Sequence, residues 1–379
     1  MLKKVLIVYA SAGAGHRRAS EALFSSFEAL LNSRRNLEIS VQKIDALNYT
    51  NFIFKYTYST VYVFLVKYVP FIWGMFFNFF NLSYLKPLFR FARRYFNYFN
   101  GLRLVKYILS QQHDIVVCTH FFSAEIISGL KLSGKFKGRL VCVITDFGVH
   151  QFWLNAGIDD YFVASEHTKQ ELIRKGVKED KILITGIPIE KKFSLPKTKE
   201  AMRGKLGLDS KIPVILLCSG GMGVGPIKNA LSSISSIKFN CQLIVVCGKN
   251  TGLYRLLRHS VFEKTVKIFS YVHNMDELMC ASDLIISKSG GLTVSEALAT
   301  SLPMLIVQPI PGQETENAEV LEQYNAGIKL DNLSQLPQKI EEFFANNQQK
   351  LTQMCVNTYK LAKPDAADKI CERVILCSN

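Results

Sequence analysis

A chain of 379 residues with 48% apolar and 20% charged residues folds into globular structure, and its length exceeds one ordinary core, so two domains are expected. The formal charge of +15 at pH 7 implies an anionic partner: nucleic acid, an anionic membrane surface or a phosphorylated substrate. Nine cysteines, an odd number with no C-x-x-C pair and several inside apolar runs such as VVCTHF, read as reduced core thiols and argue against a metal site.

The first apolar run, VLIVYA (5–10), is too short for a secretory leader and lacks a small-residue cleavage site, so no signal peptide is expected. It leads into SAGAGHRRASEAL (11–23). Strand, glycine turn and helix in that order are the setting of a dinucleotide fingerprint. Gly13 and Gly15 are instead followed by His16, Arg17 and Arg18, and no third glycine falls where G-x-G-x-x-G needs one. A histidine at the tip of such a turn points to chemistry there, while Arg17 and Arg18 read as solvated helix residues. Further strand-like runs follow at 37–44, 114–121, 139–146, 160–165 and 181–186, with helical patterns at 19–31, 123–132 and 168–175, the last capped from Ser165 or Thr168.

Residues 49–99 break this rhythm, holding 21 of the 43 Phe, Tyr and Trp residues. No acidic residue lies between Asp45 and Asp114, yet eight Lys and Arg do, among them Arg90, Arg93 and Arg94. A membrane span needs about 20 largely apolar residues. The longest charge-free run, Tyr68 to Leu85, is interrupted by Pro70, Gly74, Asn78, Asn81 and Ser83, so spanning is disfavoured. An interfacial helix or helical hairpin fits better, with Trp73, Phe76, Phe77 and Phe80 at headgroup level and Arg90, Arg93 and Arg94 drawn to anionic lipid. An aromatic packing face or a dimer contact is the plainer alternative. Stacking on nucleic acid has no use for the aliphatic VYVFLV, and nucleic acid is not expected as a partner.

A polar join at 193–213 precedes a second alternating region with strands at 213–221, 241–248, 266–272, 283–291 and 303–312, and a final helix follows Pro364. Short, nearly continuous apolar runs separated by helices indicate parallel sheets covered on both faces, hence an α/β protein of two doubly wound domains with ligands at the carboxyl ends of the strands. The expected boundaries are 1–195, with an aromatic-basic segment at 49–107, then 196–362, then 363–379 as a helix that could pack back on the first domain.

The strongest motif is SKSGGLTVSEAL (287–298). Ser289, Gly290 and Gly291 follow a strand, Leu292 and Thr293 open a helix, and Glu296 is read on its first turn. Free N–H groups there suit a diphosphate, the Thr293 hydroxyl adds a donor, and Glu296 suits a ribose diol. The loop PIPGQETEN (309–317) presents Gln313, Glu314 and Asn317, groups that suit sugar hydroxyls. CSGGMGVG (218–225), with Gly220 and Gly221, could let backbone approach a phosphate.

SKSGGLTVSEAL, PIPGQETEN, SAGAGHRRASEAL, THFF, VITDFGVHQFW and DDYFVASEHTKQELIRKGVKEDKILITGIPI, in their order along nearly the whole chain, resemble the monogalactosyldiacylglycerol synthase family and its bacterial processive diacylglycerol glucosyltransferases, which are MurG-related GT-B enzymes. Gln151 departs from the family's usual Pro, and Ala14 interrupts its GGGH. The resemblance implies a GT-B fold of two Rossmann-like domains facing a cleft. It implies an inverting UDP-hexose:1,2-diacylglycerol 3-glycosyltransferase, peripheral on the cytoplasmic face of a membrane with anionic lipids as partners, and needing no metal or other cofactor. No D-x-D ends a strand to argue otherwise.

By the same match Gly290, Gly291, Leu292, Thr293 and Glu296 hold diphosphate and ribose, Gln313, Glu314 and Asn317 address the sugar, and the backbone at Tyr271 and Val272 meets the uracil. A histidine near a helix N-terminus has its pKa pushed down, so His16 is the expected base. Asp146 is the alternative base or the partner that orients His16, while His150, a third catalytic candidate, and Trp153 follow on the same loop, Trp153 on the acceptor side. A MurG-type N-acetylglucosamine transferase, a 2-epimerase and a non-catalytic UDP-sugar-dependent membrane regulator are the competing readings.

Overall fold

The computed structural model describes residues 2–34, 38–81, 86–345 and 348–376, except the side chains of residues 59, 62, 63, 66, 67, 76–81 and 86–90. The chain divides into two compact units. One comprises Met1–Lys191, Pro311–Gln313 and Asp365–Asn379, the other Lys192–Ile310 and Glu314–Pro364.

In the first unit the elements run β1 (Lys3–Tyr9), α1 (Gly15–Ser33), β2 (Ile39–Asp45), α2 (Phe52–Tyr68), α3 (Pro70–Asn81), α4 (Lys86–Asn100), α5 (Leu102–Gln111), β3 (Ile115–Cys118), α6 (Phe121–Leu132), β4 (Arg139–Val143), β5 (Asp160–Val163), α7 (Glu166–Arg174) and β6 (Ile182–Ile184). All six strands are parallel, in the order β2-β1-β3-β4-β5-β6. Strand side chains alternate between faces. Leu6, Val8, Val116, Leu140 and Cys142 therefore enter one core, while Val5, Ile7, Val117, Val141 and Val143 enter the other. Both faces are covered, which is why these strands read as unbroken apolar runs. Because β1, β3 and β4 are neighbours, their carboxyl ends bring residues 10–16, 119–120 and 144–146 side by side. Ser165 caps α7, accepting from the Thr168 N–H at 3.3 Å.

The described residues of segment 49–99 include α2, α3 and α4, and no helix among the described residues is long and apolar enough to cross a membrane. Phe52, Ile53, Tyr56, Phe71, Phe91, Tyr95, Phe96 and Phe99 are exposed on these helices.

The second unit runs α8 (Lys199–Leu206), β7 (Val214–Cys218), α9 (Ile227–Ser235), β8 (Gln242–Val246), α10 (Thr251–Arg258), β9 (Val266–Phe269), α11 (Met275–Ala281), β10 (Leu284–Ser287), α12 (Gly291–Ala299), β11 (Met304–Val307), α13 (Gln313–Gln323), β12 (Gly327–Leu330), α14 (Leu336–Phe344) and α15 (Gln349–Leu361). Its parallel order is β12-β11-β10-β7-β8-β9. The sequence reading found five of these strands. The sixth, β12, reads GIKL, with a glycine and a lysine among its four residues and Ile328 and Lys329 half-buried, so it lacks the continuous apolar run of its neighbours.

The last helix, α16 (Ala366–Leu376), belongs to the first unit. There Ile370, Cys371 and Val374 complete one core, and Ser26 on α1 donates to Asp368 at 2.5 Å. The eight described cysteines are free, six of them buried, and Cys377 lies outside the described residues.

Candidate functional site

The turn after β1 reverses at Gly13, whose φ of +94° lies in the region that favours glycine, and α1 begins two residues later. His16 is thereby the second residue of the helix. Its Nδ1 lies 2.8 Å from the Thr119 carbonyl oxygen and 2.9 Å from Thr145 Oγ1. A carbonyl can only accept, so Nδ1 carries the ring proton and Nε2 holds the lone pair. Thr119 Oγ1 in turn donates to the His16 carbonyl at 3.0 Å, locking the backbone beneath the ring.

Burial pushes the His16 pKa down to about 4, and the hydrogen bond to Thr119 opposes that in part. The direction is the expected one, but the cause is desolvation rather than the helix terminus. Thr119 and Thr145, delivered by β3 and β4, are the partners of Nδ1. Asp146 accepts from Gln313 Nε2 at 2.8 Å; Gln313, the first residue of α13, is grouped with the first unit, unlike the rest of that helix.

His120 was not singled out by the sequence, although THFF places it between strand and helix, where a capping side chain belongs. Its Nδ1 accepts the Phe122 N–H at 3.0 Å and caps α6. Its ring meets that of His16 edge to face, with centroids 4.5 Å apart and planes at 78°. Burial first, and the charge of a protonated His16 second, hold the His120 pKa well below the usual histidine value.

Several candidates on the acceptor side are placed differently. Trp153 is buried, 6.2 Å from the His16 ring and edge-on to Phe121 at 5.7 Å, because the short turn Gln151–Trp153 folds it into the core. It is a wall behind His16, not a membrane contact. His150 caps that turn, its Nδ1 accepting from the Phe152 N–H at 3.3 Å. Arg93 is turned inward: Nε donates to Glu125 Oε1 at 3.0 Å and Nη2 to the same oxygen at 2.7 Å, with the guanidinium 4.1 Å over Phe152. Asn97 also donates to Glu125, at 2.6 Å. Glu125 is 2% exposed and needs that cation, so Arg93 is not free for lipid. Arg94 and Trp73 are half-buried, while the side chains of Phe76, Phe77, Phe80 and Arg90 lie outside the described residues.

In the second unit Gly290 is extended (φ −64°, ψ 136°) and serves as the cap of α12 with no side chain bonded to the helix end. Helix α12 therefore starts at Gly291, leaving the backbone N–H groups of Gly291, Leu292 and Thr293 without a side-chain cap. Glu296 consequently sits on the second turn, not the first, and is buried.

Ser289 and Asn317 are fully buried. Asn317 Nδ2 donates to the Ser289 carbonyl at 2.9 Å, Ser289 Oγ donates to the Glu314 carbonyl at 2.5 Å, and Glu314 Oε2 accepts the Ile310 N–H at 2.7 Å. These bonds tie the loops after β10 and β11 together. Asn317 is thus a structural pin rather than the sugar contact expected of it.

In the loop after β7, Gly220 has φ +61° and Gly223 φ +63°. A Cβ on Gly223 would come 1.9 Å from the Cys247 carbonyl oxygen, and one on Gly248 2.7 Å from that of Gly221. Gly220 and Gly221 stand out in the sequence, whereas the need for glycine at Gly223 and Gly248 arises only where the loops after β7 and β8 meet. Tyr271, beyond β9, is exposed, with Lys249 Nζ 6.0 Å from its ring centre, and Val272 beside it is half-buried.

Residues 16–189 match the family model described as monogalactosyldiacylglycerol (MGDG) synthase, and residues 214–370 match that of the glycosyltransferase family 28 C-terminal domain. The chain is 33% identical over 280 residues to a processive diacylglycerol beta-glucosyltransferase of Bacillus cytotoxicus, a match covering 73% of this chain and 71% of that one. The solved S. aureus MnaA–UDP structure is similar with a TM-score of 0.64 at 14% identity, over 98% of this chain and 96% of that one. Acinetobacter baumannii MurG gives 0.60 at 16%, over 98% and 99%. At these identities the structural likeness speaks for the fold, which is GT-B.

Proposed function

The chain belongs to the monogalactosyldiacylglycerol synthase family, alongside the processive diacylglycerol glucosyltransferases, and from that premise we propose that it moves a hexose from a UDP-sugar to the hydroxyl of diacylglycerol, with inversion at the anomeric carbon. Glucose is the proposed hexose, because the relative that matches over 73% of the chain is named a glucosyltransferase.

The observation that carries the chemistry is the state of His16: a neutral ring, its proton on Nδ1 and its lone pair on Nε2. The acceptor oxygen attacks the anomeric carbon as the bond to the UDP oxygen breaks on the opposite side, and the acceptor proton passes to Nε2. A ring this weakly basic does not remove the proton beforehand, so proton transfer accompanies C–O bond formation. Charge grows on the departing diphosphate, and the N–H groups at the start of α12 are the donors that suit it. His16 lies in the first unit and the start of α12 in the second. Chemistry of this kind runs without a metal or other cofactor.

The exposed aromatics of α2, α3 and α4, interleaved with lysines and arginines, suit a peripheral contact with the anionic cytoplasmic face of a membrane, where diacylglycerol resides. The test offers UDP-glucose and UDP-galactose together to the full chain with diacylglycerol vesicles, with and without chelator, and identifies products by mass. Glucosyldiacylglycerol, unaffected by chelator, is the expected product. Absence of any glycolipid across neutral and anionic vesicles would refute the reading.

A further inference from the structure

Lys288 stands between the end of β10 and the Gly290 cap of α12. Its side chain is half-buried, and its stem lies against the loop after β7: a Cβ on Gly225 would come 3.2 Å from Lys288 Cε and 2.1 Å from Ser219 Oγ. A side chain at Gly225 would thus press on the lysine. Ser219 Oγ donates to the Val224 carbonyl at 2.6 Å, which closes the loop around this space.

Among the described residues nothing hydrogen-bonds or ion-pairs with the Lys288 ammonium. Burial pushes its pKa down, and the Glu314 carboxylate opposes that through space while its own Oε2 is bonded to the Ile310 N–H. Other cations of this unit are paired more completely: Lys199 and Arg203 share Asp283, before the amino end of β10, and Lys197 meets Asp276 at 3.0 Å. A half-buried cation without a bonded anion is poorly stabilised in the empty protein, and an incoming anion relieves that cost.

Lys288 thus touches the glycine loop after β7 and stands three residues before the uncapped start of α12. On the reading that this unit binds a UDP-sugar, we propose that Lys288 is the cation of the donor site, pairing with the diphosphate and stabilising UDP as its oxygen takes the electron pair of the bond to the anomeric carbon. The charge that grows on the leaving group is then met by one fixed ammonium together with backbone N–H dipoles, at a place where the sequence motif had suggested only backbone and a hydroxyl. Gly225 keeps that place open.

The experiment measures binding of uridine, UMP and UDP by calorimetry to the full chain, to Lys288→Met and to Lys288→Arg, together with kcat and KM for transfer and the melting temperature of each. Met keeps the stem and removes the charge. Lys288→Met should bind uridine as the wild type does, bind UDP at least tenfold more weakly, and lose kcat as well as affinity. Lys288→Arg should recover most of both, and remains informative if the Met variant does not fold. Equal weakening of uridine and UDP would make Lys288 structural, and unchanged UDP affinity would remove it from the site; either result overturns the proposal. A wild-type chain that binds no UDP would overturn the functional reading itself, an outcome distinct from a failure of Lys288 alone.

Discussion

Acidification offers a direct test of the His16 environment. An ordinary histidine titrates near pH 6.5, whereas His16 is pushed down to about 4 by burial. That difference, roughly 2.5 units, disfavours the imidazolium by about 3 kcal/mol. At pH 5.5 an unperturbed ring would be about 90% charged and His16 only about 3%. Ring-nitrogen NMR of histidine-labelled protein from pH 8 to pH 4, with His16→Asn identifying the resonance, reads both quantities that matter. The expected result is a neutral ring with hydrogen on Nδ1 down to about pH 5, charging only below. The acid limb of kcat/KM should follow the same titration, since the base must be unprotonated.

The sign also bears on stability. The unfolded chain takes the proton near 6.5 and the folded chain only near 4, so the contribution of His16 is intact above 6.5 and is lost as the pH falls from there towards 4. A midpoint at 6 or above, or a proton on Nε2, would refute the account of how Thr119 and Thr145 hold the ring.

His16→Asn should reduce transfer by about 10²–10⁴-fold while leaving UDP binding unchanged, read by product formation and calorimetry in parallel. Gly223→Ala should lower the melting temperature and abolish its rise with UDP, since a Cβ 1.9 Å from the Cys247 carbonyl forces the loop to move and the φ of +63° disfavours any side chain. Arg93→Met should cost about 3–5 kcal/mol in denaturant unfolding, because it strands the Glu125 carboxylate in the core; a loss of vesicle binding at full stability would instead return Arg93 to the lipid surface. The pair Phe91→Ser and Phe99→Ser should weaken co-sedimentation with anionic vesicles several-fold with no change in melting temperature, as both rings are exposed.

The α/β class was legible because it rests on local patterning. A strand buried on both faces must be apolar at every position, and VLIVYA, DIVVCTHF and DLIISKSGG announce this without any partner in view. The glycine turn before His16 and the Gly290–Gly291 entry to α12 were legible for the same reason, being backbone requirements written in consecutive residues. β12 was not, because GIKL, half-buried at Ile328 and Lys329, breaks the apolar run that marks the other strands.

What holds each side chain was decided elsewhere. Thr119 and Thr145 reach His16 from 103 and 129 residues away, and only the order β1-β3-β4 makes them neighbours. Arg93 and Trp153 carry the composition of a membrane surface, yet Glu125 draws one inward and the core takes the other. Asn317 has the chemistry of a sugar ligand but lies beneath Ser289. Sequence by itself determined which elements form and where their chemistry-bearing turns fall, since those depend on neighbours along the chain. Burial and partnership, and with them the pKa of His16 and the setting of the Lys288 ammonium, depend on neighbours across the sheet, and tertiary structure alone brings those together.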